Sequence, residues 1–150
     1  MKQLIKKILK EQSESNKEKF IRYVASKLKP PYFKNINDLG VEKNEIKPIL
    51  SLIFNQPIKI NGTYVFNKKG GQLYYEDSFG DWTKYGYDEK NRHIYTEDSY
   101  NNWYKHRYDE NGNEIYYETS NGFWEKKEYD ENGCLIYYEH SNDGITLDKR

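Results

Sequence analysis

The chain has 150 residues, is 35% hydrophobic and 17% aromatic with 16 Tyr, and carries a formal net charge of zero. That length fits one ordinary domain or two small ones. So polar a composition would suit a disordered chain, but the aromatics recur at regular intervals, bury large areas and favour strands. A single cysteine, Cys134, excludes an intramolecular disulfide framework and a cysteine-based metal site.

Charge is unevenly spread. Residues 1–60 hold 13 Lys+Arg against 6 Asp+Glu, and residues 61–150 hold 11 against 18. A basic end can meet an anion, and two such halves can equally dock on each other or be solvated. The first ten residues are basic without an uninterrupted apolar run, so neither a signal peptide nor a transmembrane segment is expected. The expected location is cytoplasmic or virion-associated. Leu4, Ile5, Ile8 and Leu9 recur at helical spacing and predict a short amphipathic helix that packs on its neighbours.

Ser15 followed by Glu18 has the spacing of a capping box. The apolar series Phe20, Ile21, Val24 and Leu28 then predicts a helix from about Asn16 to Leu28, stopped by Pro30-Pro31. A short helix through Tyr32–Leu39 ends at Gly40. Another lies within Glu42–Phe54, with Pro48 either kinking it or sitting in its first turn. Its expected buried face is Ile49, Leu50, Leu52, Ile53 and Phe54. Asn61-Gly62, set between the β-formers Ile58–Ile60 and Tyr64–Phe66, predicts a tight hairpin.

The short helix, the turn Leu39-Gly40-Val41 and the helix carrying Ile46 and Ile49 have the apolar spacing of a helix-turn-helix. With the hairpin behind them they resemble a winged helix. The resemblance implies a recognition helix in the major groove, with Lys43, Asn44 and Lys47 as candidate nucleic-acid contacts. Glu42 and Glu45 on the same stretch oppose that reading.

From Phe66 onward a unit recurs every 21 residues. Tyr87, Tyr108 and Tyr129 form one column, and Trp82, Trp103 and Trp124 another, followed by Ile145. Leu73, Ile94, Ile115 and Ile136 form a third. Within a unit, turn signals (Asp109 to Gly112, then Thr119 to Gly122) alternate with strand signals (Glu114 to Glu118, then Phe123 to Tyr129). Each unit therefore reads as a hairpin, and four units as an antiparallel meander of eight strands. The aliphatic column shares a face with Tyr75, Thr96, Tyr117 and Tyr138; the other face carries Tyr74, Tyr95, Tyr116 and Tyr137, then Glu76, Glu97, Glu118 and Glu139. Lys84, Lys105 and Lys126 alternate with the tryptophans and should oppose either the Tyr116 column or the Glu118 column.

Glu76 to Asp88, with Tyr108-Asp109-Glu110-Asn111-Gly112 and Tyr129-Asp130-Glu131-Asn132-Gly133, resembles the YD repeat of RHS proteins across residues 66–150. That resemblance implies β-sheet architecture on bacterial or phage proteins and specifies no activity. A looser similarity extends to choline-binding and MORN-like repeats.

Comparing the copies bears on chemistry. Asp109, Asn111 and Asn113 alternate as in a calcium loop, but the copies read Asp88, Lys90, Arg92 and Asp130, Asn132, Cys134, so a turn is the better reading. His93, His106 and His140 fall in different columns, and nothing in the pattern places them together. No nucleophile motif or phosphate loop occurs, so no catalytic residue, metal or cofactor is expected. The candidate binding surface comprises Trp82, Trp103 and Trp124 with the variable column Tyr85, His106 and Lys127. The alternative for the tryptophans is core, since aliphatics are few.

The expectation is an α+β protein: a basic helical module at 1–57, then a first hairpin and an array of four 21-residue β-hairpin repeats at 58–150. Its expected role is non-enzymatic, presenting an aromatic and acidic surface to a protein or glycan partner, with oligomerisation through edge-strand pairing open. The alternative is a nucleic-acid-binding regulator acting through residues 1–66.

Overall fold

The computed structural model describes residues 14–150, with side chains from Lys17 onward, so the expected helix through Leu4–Leu9 lies outside the described residues. Three helices come first: α1 (Glu14–Lys27), α2 (Tyr32–Leu39) and α3 (Lys43–Ile53). Ten strands follow: β1 (Ile58–Asn61), β2 (Tyr64–Asn67), β3 (Gln72–Glu76), β4 (Trp82–Tyr87), β5 (His93–Asp98), β6 (Trp103–Tyr108), β7 (Glu114–Thr119), β8 (Trp124–Tyr129), β9 (Leu135–His140) and β10 (Gly144–Asp148). They form one sheet in chain order, an antiparallel meander. The fold is α+β, a small helical module followed by β-hairpins. Among the described residues no helix is long and apolar enough to cross a membrane. By its contacts the chain divides into two compact units, Met1–Trp82 and Thr83–Arg150.

In the first unit the helices and the opening strands share one apolar core. Ile36, Leu50, Val65 and Tyr74 are fully buried, with Ile49 1% exposed. Gly40 ends α2 in the left-handed conformation at φ 70°, its N–H donating to the Asn37 and Ile36 carbonyls. Ser15, expected just ahead of that helix, already lies inside α1. Pro48 sits in the interior of α3 on its exposed side. There the lost backbone bond falls on the solvent side and the helix continues. The helical period selects Glu45, Ile46, Ile49 and Leu50 as the buried residues of α3. Leu52, expected on that face, is 39% exposed, because it lies off the 46–49–50 stripe.

Glu76 ties sheet to helix. Its Oε2 accepts from the Phe33 N–H at 2.9 Å and from the Tyr74 hydroxyl at 2.6 Å, and its Oε1 accepts from the Lys34 N–H at 2.8 Å. A buried carboxylate thus satisfies the otherwise unpaired first-turn donors of α2. Pro31, at the N-cap position, supplies no side-chain bond.

The second unit is built differently. Within 83–150 only Thr119 and Tyr137 are buried, and the strands are otherwise half-buried or exposed. Its stability comes from strand pairing and from side chains that cover one another on each face. The turns explain the Tyr-Asp-x-x-Gly pattern. Asp109 Oδ1 accepts from the Asn113 N–H at 2.8 Å, and Oδ2 accepts from the Asn113 side-chain amide at 2.8 Å. The Gly112 N–H donates to the Asp109 carbonyl at 3.2 Å, closing a β-turn. Gly112 follows at φ 98°, a left-handed residue that makes a bulge. Asp88 with Asn91 and Asp130 with Gly133 repeat this arrangement. The Asp109 carboxylate is therefore committed to its own turn.

In the first hairpin, Asn61 pairs with Tyr64, so the two turn residues are Gly62 and Thr63. The turn pair thus lies one residue later than Asn61-Gly62, with Gly62 at φ 59° as its first residue.

Candidate functional site

Both faces of the second unit carry half-exposed rings, and the strand register defines what lies on each. On the first face residues align in rows perpendicular to the strands. One row runs Gly86, Tyr95, Lys105, Glu118, Trp124, and the next runs Arg107, Tyr116, Lys126, Glu139, Ile145. Each row moves two residues along the strands relative to the one before. Lys105 and Lys126 thus each have Tyr on one neighbouring strand and Glu on the other; for them the expected choice between the two columns resolves as both. Lys105 Nζ lies 3.7 Å from Glu118 and 4.2 Å from the centroid of the Trp103 ring. Lys126 Nζ lies 3.7 Å from Glu139 and 4.8 Å from Trp124. Lys84 lies 3.8 Å from Glu97, and burial lowers its pKa against the opposing pull of that carboxylate. These ladders fix the register by charge and by cation–π contact.

The second face holds Tyr85, His106 and Lys127. On each of β4, β6 and β8 the tryptophan and the variable residue three positions on point to opposite faces. The tryptophans and the variable column are therefore two surfaces. Trp103 and Trp124 are half-buried, and so is Trp82, whose ring stacks 6.4 Å from Tyr74 in the first unit. They are neither a closed core nor a free row, because long side chains cover them in part.

Around His106 and Lys127 the side chains form a connected polar network. His106 Nδ1 is 2.7 Å from Glu114 Oε2, and Lys127 Nζ is 3.0 Å from Glu114 Oε1 and 2.9 Å from Glu125 Oε2. The Tyr138 hydroxyl donates to Glu125 Oε1 at 2.6 Å. Burial disfavours the Lys127 ammonium, but the two carboxylates outweigh it and hold its pKa well above the ordinary lysine range. Rings continue the network: His93 to His106 at 5.4 Å, His106 to Tyr117 at 5.0 Å, and Tyr138 to His140 at 5.3 Å.

The expectation that nothing brings the histidines together is thus corrected for His93 and His106. At the end of β4 the register slips, so that Tyr87 pairs with His93 while Gly86 pairs with Tyr95. That bulge brings His93 onto the face carrying Tyr85, Tyr87 and His106, and its Nε2 lies 2.8 Å from the Thr96 hydroxyl. His93, Glu114, Glu125 and Tyr138 were missed as site residues. The signal was present in the variable columns 93/114/135 and 83/104/125, but only cross-strand register shows that those columns meet.

In the first unit Lys43, Asn44 and Lys47 are exposed on α3. Glu45 is turned inward, 8% exposed and 3.4 Å from Lys17, so it does not stand among those residues on the exposed side. A scan of protein-family models and a search of curated proteins found no match to the chain.

Proposed function

We propose that the protein is a non-enzymatic binding protein whose hairpin array, built from YD-like repeats, presents an aromatic and polar surface to a protein or glycan. The observation carrying this reading is that the second unit spreads its rings over two half-exposed faces and encloses almost none of them. The variable columns supply specificity where they converge, at His93, His106, Glu114, Glu125 and Lys127. A panel of glycans and peptides, followed by intrinsic tryptophan fluorescence, tests it. At least one ligand should change the signal saturably, and Lys127→Ala or Trp103→Ala should weaken that ligand while leaving far-UV circular dichroism unchanged. A panel with no saturable ligand, or variants that bind as the parent does, would overturn the reading.

A second reading is favoured by the inward turn of Glu45. It removes one of the two acidic residues that opposed a nucleic-acid role for α3 and leaves Lys43, Asn44 and Lys47 outward. Duplex DNA binding by the full chain, with a salt slope reduced by about one for each of Lys43→Ala and Lys47→Ala, would carry it.

A further inference from the structure

The first unit contains a hollow that shares only Lys43 with those readings. It lies between α2, α3 and the tip of the β1–β2 hairpin, has a volume of about 450 Å³, and is lined by Phe33, Asn37, Lys43, Ile46, Ile60 and Thr63, with Gly62 at its edge. That volume is in the range of small-molecule sites, which are mainly apolar with a few placed polar groups. Phe33 and Ile46 are 7% and 6% exposed and form a firm apolar floor. Ile60 is half-buried beside them. At the hairpin tip, Gly62, at φ 59°, has nothing within 4 Å of where a Cβ would stand.

The rim is polar and open to solvent. Among the described residues the Lys43 ammonium makes no ion pair, and the side chains of Asn37, Lys43 and Thr63 make no hydrogen bond. Asn37 and Lys43 are exposed, so their donors are free to turn over the hollow. One cation and two neutral hydrogen-bonding groups around an apolar floor complement a single anionic head on an apolar body. The geometry points to a binding site for a small amphipathic monocarboxylate, its apolar part resting on Phe33, Ile46 and Ile60 and its carboxylate meeting Lys43, Asn37 and Thr63. The charge-assisted contact with Lys43 selects the acid over a neutral molecule of the same shape.

Phenylacetate is a suitable probe, with 2-phenylethanol as its neutral counterpart. Titrated into the full chain and followed by amide chemical shifts, phenylacetate should move Phe33, Ile46, Ile60 and Gly62 saturably, with a Kd on the order of 1 mM or tighter for a ligand so small. Lys43→Gln, an exposed substitution that removes the charge and keeps a polar side chain, should weaken phenylacetate about tenfold, the effect of losing one charge-assisted bond. The same variant should leave 2-phenylethanol unchanged. No saturable shift at these residues up to about ten times that Kd would overturn the site. Equal affinity for acid and alcohol, or no effect of Lys43→Gln, would overturn the assignment of an anion.

Discussion

His93 shows how a single side chain is redefined by its neighbours. Tyr85 and Tyr87 on β4, Thr96 on its own strand and His106 on β6 surround it. Burial first, and the neighbouring His106 second, lower its pKa below the ordinary histidine value, against a backbone contact at Tyr95 that raises it. A base whose folded pKa is depressed leaves stability intact above its unfolded pKa of about 6.5 and erodes it below, where the unfolded chain takes up the proton first. Thermal melts of the full chain should therefore lose stability as pH falls below about 6.5. His93→Leu should flatten that limb, and Leu is the residue that the chain carries at the matching position, Leu135. Identical slopes for parent and variant would remove the role of His93. Glu125 acts lower on the scale. Burial raises its pKa, but the bonds from Tyr138 and Lys127 outweigh it and leave the pKa lowered, so its contribution is lost only as pH falls through that depressed value.

At the scale of the element, turn chemistry and strand period specify the hairpins. Each Asp turn needs a residue at positive φ before the chain returns, and the chain uses Asn91, Gly112 and Gly133 at equivalent places. Nothing lies within 4 Å of a Cβ at Gly112, so substitution there tests backbone conformation alone. Gly112→Ala should cost about 1–2 kcal/mol in denaturant melts, the left-handed penalty for an L-residue. Gly112→Asn should cost well under half of that, because Asn tolerates the left-handed region. Equal costs would mean that the turn adopts another geometry. Gly86 differs: a Cβ there would stand 3.0 Å from Tyr95 Cβ, so the small residue makes room for its cross-strand neighbour. These local features were legible in the sequence, since turn, strand and helix-end signals act over a few residues. The exceptions were Ser15, which lies inside α1, the first hairpin, whose turn residues are Gly62 and Thr63, and Leu52, counted with the buried face because it is apolar, although the helical period turns it outward.

For the whole molecule, the two units rest on different physics. The first buries Ile36, Leu50 and Val65 completely and should hold the slowest-exchanging amides. The second has only Thr119 and Tyr137 buried, so the amides of β6–β8 should exchange through lower-energy openings. Ile36→Ala should cost about 2–5 kcal/mol and speed exchange throughout α2 and α3. Faster exchange in Ile36 and Leu50 than in Tyr117 of the parent protein would contradict this division.

By itself, the sequence determined the period, the helix and strand order, the turn chemistry and which residues share a column, because each depends on neighbours close along the chain. Columns, however, record residues in the same phase of the repeat, whereas contacts join residues in different phases. The two-residue advance of each row and the bulge beside each Tyr-Asp turn set those contacts. Only the tertiary structure therefore decided that Lys105 and Lys126 each lie between a tyrosine and a glutamate, that His93 and His106 meet, and that the tryptophans and the variable column face opposite ways. It also decided the fate of two carboxylates. Glu76 and Glu45 look like solvated charges in the sequence, yet both are buried: Glu76 accepts from the first turn of α2, and Glu45 Oε1 lies beside Lys17 of α1 while its Oε2 has no hydrogen-bond partner among the described residues.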